Sequence, residues 1–158
     1  MSNLNYKKYL GWNGEMIRSY FIKNDFKFPT KELIKELELN IIEGNYEFDS
    51  KIETTNLSIY LKDSMLETRK NYAIIHCIAH LLLHEGESFI DYNFNSKIID
   101  REANKFTRDV LMPTYIINHF RSINLKPQDM AKLLGVSESA VNVRIGEMLK
   151  NKQLIISK

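Results

Sequence analysis

Apolar residues change their rhythm several times along this chain, and the changes mark out its elements. Between Tyr9 and Phe21 the spacing is weakly helical, and Thr30 ahead of KELIKEL gives an N-cap followed by Leu33, Ile34 and Leu37 on one helical face. From Glu38 to Leu61 the rhythm shortens to two. Leu57, Ile59 and Leu61 fall on one side and Gly44-Asn45 is a turn signal, so this stretch predicts a small antiparallel sheet. Thr68 to His84 is almost continuously apolar after a charged first turn, with Gly86 as its stop. A helix apolar on every side belongs at the centre of its domain.

Residues 86–97 turn polar, with interspersed aromatics, and read as a loop covering a site. A helix then runs from Ile99 to Met112, with Ala103, Phe106 and Val110 on its inner face and Pro113 as its end. Tyr115 to Arg121 continues helical. The tail predicts short helices over Pro127–Leu134 and Ser137–Leu149, joined through Gly135-Val136, and a strand at Leu154–Ile156.

With 158 residues, 44% of them hydrophobic, the chain has enough apolar material for one core with at most a small appendage. Its 22 basic and 20 acidic residues leave a net charge of +2, too little to announce a nucleic-acid partner. The start, MSNLNYKKYLGWNGEM, has no signal-peptide core, and no segment has the roughly 20 apolar residues of a bilayer span, so the expected location is cytoplasmic. A single cysteine rules out an internal disulfide framework.

Chemistry concentrates in His76-Cys77-Ile78-Ala79-His80. Histidines four apart share one helical face and can offer two imidazole nitrogens to one ion. Two buried imidazoles on an apolar helix need partners, and either a metal or core hydrogen bonds would provide them. The spacing is that of an H-E-x-x-H zinc-peptidase helix, in which the residue after the first histidine is the general base; here that residue is Cys77. Downstream stand Leu82-Leu83-His84, then Arg101-Glu102-Ala103-Asn104-Lys105-Phe106 and Leu111-Met112-Pro113.

In that order these elements resemble the ImmA/IrrE metallopeptidases, whose H-E-x-x-H is followed by L-L-H, E-A-N-x-F and L-M-P. The motif core of the resemblance covers residues 71–113. It implies one zinc ion held by His76, His80 and Glu102, with a fourth position open. Judged without the resemblance, Glu102 is a solvated residue in a charged first turn. His84 is read as a helix C-terminal residue rather than a ligand, and His119 is given no role.

Three readings of Cys77 compete. It is a small buried hydrophobe in a pseudoenzyme, in keeping with the packing habit of free cysteine. As an added soft zinc ligand it is opposed by helix geometry, since it points about 100° round from His76, though only about 60° from His80. As a redox switch or nucleophile it lacks a charged activator within HCIAH. A replacement base such as Glu85 or Glu87 has no support from spacing. Loss of a general base costs on the order of 100-fold to 10,000-fold in rate, so weak or absent peptidase activity is expected.

The tail, Met130 to Val141, has a helix-turn-helix pattern with Ala131 for close packing, Gly135 at the turn and Ser137 as a cap. Glu138 and Glu147 offset Arg144 and Lys150, so its second helix lacks the positive excess of a phosphate binder. Arg144 also stands where such motifs more often have a core aliphatic. The ImmA/IrrE family carries a similar segment, G-V-S-x-x-A-x-x-x-R-L, which Val136, Ser137, Ala140, Arg144 and Ile145 fit.

The expectation is therefore an α+β, zincin-like domain over residues 1–121 with a helix-turn-helix-like segment over 122–158 packed on it. The resemblance implies a partner, a helix-turn-helix repressor of the Xre type. With Cys77 in place the leading reading is a catalytically impaired homologue that regulates transcription by binding such a repressor. An active zinc endopeptidase cleaving the repressor, and a DNA-binding regulator with a vestigial metal helix, are the alternatives.

Overall fold

The computed structural model describes residues 4–21, 26–84 and 96–154. Glu85, the Gly86 stop, Glu87 and most of the loop expected over 86–97 lie outside the described residues, as does all but the first residue of the Leu154–Ile156 strand.

A short 3-10 helix, Asn5–Tyr9, ends where the helix predicted from Tyr9 to Phe21 begins, and of that predicted helix only α1, Gly14–Phe21, is α-helical. Gly11 breaks it by adopting φ +80°, and Asn13 restarts it, its Oδ1 accepting from Met16 N at 2.9 Å. Helix α2, Thr30–Glu36, buries Leu33 and Leu37 completely, as its periodicity requires. Thr30 is its first helical residue rather than its cap, and the Thr30 hydroxyl donates instead to Asn71 Oδ1.

Three strands follow, β1 (Asn40–Gly44), β2 (Ser50–Glu53) and β3 (Ser58–Lys62), in the spatial order β1-β3-β2. The sheet is mixed rather than antiparallel throughout, because β1 pairs with β3 in parallel, Ile41 opposite Ile59, while β2 pairs with β3 antiparallel, Ile52 opposite Ile59. Gly44-Asn45 thus leads out of an edge strand and is not a hairpin turn. The five residues between β1 and β2 carry the chain across the end of β3, a choice that alternation alone does not fix. Leu57, Ile59 and Leu61 turn inward as their alternation predicts.

Helix α3, Glu67–Leu83, lies at the centre and buries Ala73, Ile74, Ile75, Cys77, Ile78, Ala79, Leu81 and Leu82. One side packs on β2 and β3, another on α4, Ser96–Leu111. Ala103, Phe106 and Val110 form the inner face of α4, as predicted. Helix α1 crosses α4 so closely that Gly14 has no room for a side chain, an added Cβ falling 2.4 Å from Phe106 O. Buried Arg18 ties the same two helices, donating to Val110 O at 2.7 Å and to Phe26 O at 2.5 Å with Phe28 under its guanidinium.

Three helices complete the chain: α5 (Thr114–Ser122), α6 (Pro127–Leu134) and α7 (Glu138–Lys150). Gly135 ends α6 in the left-handed region, φ 69° and ψ 34°, and Ser137 caps α7 by accepting from Ala140 N. Arg144, only 1% exposed, fixes α7 to α4. It donates to Met112 O at 2.8 Å, to Asp109 Oδ1 at 2.9 Å and to Glu147 Oε1 at 2.7 Å, and Arg108 of α4 pairs with Glu147 as well. No helix among the described residues is long and apolar enough to cross a membrane.

Candidate metal centre

Helices α3 and α4 face each other along two stripes of residues spaced by four, Tyr72-His76-His80 on α3 and Asp100-Asn104-Arg108 on α4. Where the stripes meet, His76 Nε2 and His80 Nε2 stand 3.2 Å apart. Asp100 Oδ1 lies 3.7 Å from the first and 3.5 Å from the second. A tetrahedral ion with bonds of about 2.0–2.2 Å holds its ligand atoms roughly 3.3–3.6 Å apart. The three edges therefore approximate one face of such a tetrahedron, and the donor set of two imidazoles and a carboxylate suits a divalent metal ion. Among the described residues this is the one such group, its ligand atoms all within 4.8 Å of one another.

Electrostatics favour the same use. Burial pushes His76 below its ordinary value, opposed by Asp100 and by the Asn104 amide. Burial, and then repulsion from His76 and His84, pushes His80 down to about 4. Both rings are neutral at pH 7 and keep a lone pair for a metal. The Tyr72 hydroxyl donates to Asn104 Oδ1 at 3.2 Å, and its ring lies nearly parallel to His76, centroids 6.4 Å apart, so one residue from each stripe borders the first histidine.

Glu102, the expected third ligand, is not brought to this pair. Its Oε2 lies 2.8 Å from His84 Nε2, and it joins no group with His76 and His80. Helix geometry gives the reason: Asp100, three residues before buried Ala103, is turned about 60° from it, whereas Glu102 is turned about 100° the other way. His84 caps the end of α3 and is 5% exposed, with Glu102 as its partner. His119 lies on α5, stacked on Phe26 and remote from the site's elements. Asp100, Tyr72 and Asn104, which sequence reasoning did not single out, lie beside the histidine pair, and the signal for them was the spacing of four shared by two facing helices.

Cys77 lies in the core at 4% exposure. Burial pushes its thiol up to about 11, tempered by the Ser50 side chain beside it, and it takes no part in the ligand group. The step of about 100° from His76 turns it toward β2 and away from the metal side of α3.

A cleft of about 640 Å³ opens beside His76. It is lined from the start of β2, the first half of α3, the α4 residues Asn104 and Arg108 with Met112 after them, and Val136, Ser137, Ser139, Ala140 and Val143 of the tail.

The family model described as the IrrE N-terminal-like domain, peptidase family M78, matches residues 24–146. The chain belongs to this family. No curated protein matches the chain. The match to the IrrE N-terminal-like domain takes in α2, the sheet, both stripe-bearing helices and all but the end of α7, so the histidine group and the cleft beside it both fall within the family's region.

Proposed function

We propose that this IrrE N-terminal-like protein holds one zinc ion and regulates transcription as a catalytically impaired homologue, by binding a helix-turn-helix repressor of the Xre type. The observation that carries the impairment is the position of Cys77: a neutral thiol packed against Ser50 occupies the sequence position of the family's carboxylate base, next to a His-His-Asp group that could hold a metal ion. Zinc at this group would supply Lewis acidity. His76, His80 and Asp100 would hold it, Tyr72 and Asn104 would orient His76, and no residue of the 76–80 turn could take a proton from water at neutral pH. Glu102, engaged by His84, then serves the end of α3 rather than the ion.

The partner comes from the family resemblance, and the tail supports protein contact over DNA contact. Val136, Ser137, Ser139, Ala140 and Val143, in the segment a DNA reader of this pattern would offer to a groove, line the chain's own cleft. The deciding experiment combines metal content with cleavage of an Xre-type repressor. About one zinc per chain, lost in His76→Ala/His80→Ala, with a stable complex and no cleavage, is the expected result. Cleavage that His80→Ala abolishes would establish instead an active endopeptidase. In the impaired protein Cys77→Glu restores a carboxylate and raises the rate, on the order of 100-fold or more; an unchanged rate would point to another base.

A further inference from the structure

Two large aliphatic side chains from different elements line the cleft and stay exposed, Leu66 at 78% and Val143 at 59%. Neither is called for by its element. Helix α7 packs through Val141, Arg144 and Met148, and position 143 falls on its outer face, where helical periodicity asks for a polar residue such as the neighbouring Asn142. Leu66 occupies the N-cap of α3, where serine, threonine, aspartate or asparagine would bond the first turn, and no side chain caps that helix. Both positions forgo a local gain, and both face the same space.

That space has further features. Tyr72, Met112 and Ala140 add apolar surface to the lining, and His76, one of the two histidines of the metal group, lines it as well. Ser50, at the start of edge strand β2, lines it, and no further strand pairs with the outer side of β2 among the described residues. An edge of this kind pairs with extended backbone. Arg144 and its buried partners hold the α7 wall in one orientation relative to α4, so the cleft has a fixed width.

We infer that the tail helix α7 is the specificity wall of this cleft, and that Val143 and Leu66 grip an apolar side chain of an extended polypeptide segment whose backbone runs toward the metal group. The inference rests on the proposed metal-site reading and adds what that reading leaves open, the side-chain class of the segment bound. Arg69 and Arg108 do not make it an acidic-peptide site, because Arg69 is paired with Asp49 and Arg108 with Glu147.

The test uses the full chain with methyl-labelled leucine and valine, titrated with Gly-Leu-Gly hydroxamate and Gly-Glu-Gly hydroxamate, with and without zinc. The leucine peptide should shift the Leu66 and Val143 methyl signals and bind about tenfold or more tightly than the glutamate peptide. Val143→Asp and Leu66→Ser, both at exposed positions, should each reduce that preference while zinc content is kept and the melting temperature does not fall, Leu66→Ser raising it if the serine caps α3. Equal affinity for the two peptides, or shifts confined to other methyl groups, would overturn the inference. Failure to retain zinc would overturn the metal-site reading instead, and the metal-free titration would still judge the wall.

Discussion

At the residue scale, Asp100 and Glu102 differ by two positions and by their place on α4, which makes them separable experimentally. If the geometry of the ligand group is the one that binds, Asp100→Asn should weaken zinc binding by more than the roughly 10-fold to 100-fold typical of an outer partner, and Glu102→Gln by less than that. Competition with a calibrated chelator measures both. Equal losses, or a greater loss at Glu102, would return the third ligand to the position the family motif suggested. Cys77 gives a second prediction. Its thiol is held at about 11, against an ordinary 9.0, by burial. Below pH 9 it is protonated in both folded and unfolded chains and its contribution to stability is whole; between pH 9 and 11 only the unfolded chain ionises, so stability falls as pH rises. A difference of this size between the two states is worth roughly 3 kcal/mol once the pH has passed both values. Urea unfolding of the metal-free protein at about pH 8 and about pH 10.5 should show a loss approaching this order that Cys77→Ala lacks, and iodoacetamide at the lower pH should label the native chain far more slowly than the unfolded one.

At the scale of elements, most of the helices were legible because their periodicity is carried by many residues at once. Helix α3 needed only its continuous apolar run, and α4 announced its inner face through Ala103, Phe106 and Val110. What stayed hidden was relational. No pattern in residues 40–62 says that β1 lies beside β3, since strand order follows from how connections cross, not from alternation. The proximity of Asp100 to the histidine pair was hidden for a similar reason: it becomes significant only when α3 and α4 lie face to face, whereas Glu102 sits inside a recognisable motif. The approach of α1 to α4 is equally relational and equally testable. An alanine at position 14 would place its Cβ 2.8 Å from Asp109 Cβ as well as against Phe106 O. Gly14→Ala should therefore cost about 1–3 kcal/mol, seen as a lowered melting temperature. Gly146, inside α7 with nothing within 4 Å of its would-be Cβ, is the control. Gly146→Ala should stabilise by about 0.5–1 kcal/mol, and the same sign at both sites would remove the packing argument.

For the whole molecule, the question is what makes the tail part of the site rather than an appendage beside it. Arg144 is out of place by the habits of a helix-turn-helix pattern, and the structure shows the reason: the guanidinium reaches Asp109, Glu147 and the Met112 carbonyl, three anchors on both sides of the α4–α7 boundary. Asp109 is itself buried, with Lys105 at 2.7 Å on its other oxygen. Two buried charges attract strongly but lose their hydration, so the pair's value lies in the geometry it imposes more than in net stability. The two costs separate in a double-mutant cycle. Arg144→Met alone leaves a carboxylate short of its partner and should destabilise by about 3–5 kcal/mol in urea unfolding, whereas Arg144→Met/Asp109→Leu should recover most of that loss. If geometry is what the pair supplies, the double variant regains stability without regaining the selectivity of the cleft, because an apolar contact leaves α7 free to settle at a different angle. Recovery of both together would mean that packing alone positions the wall.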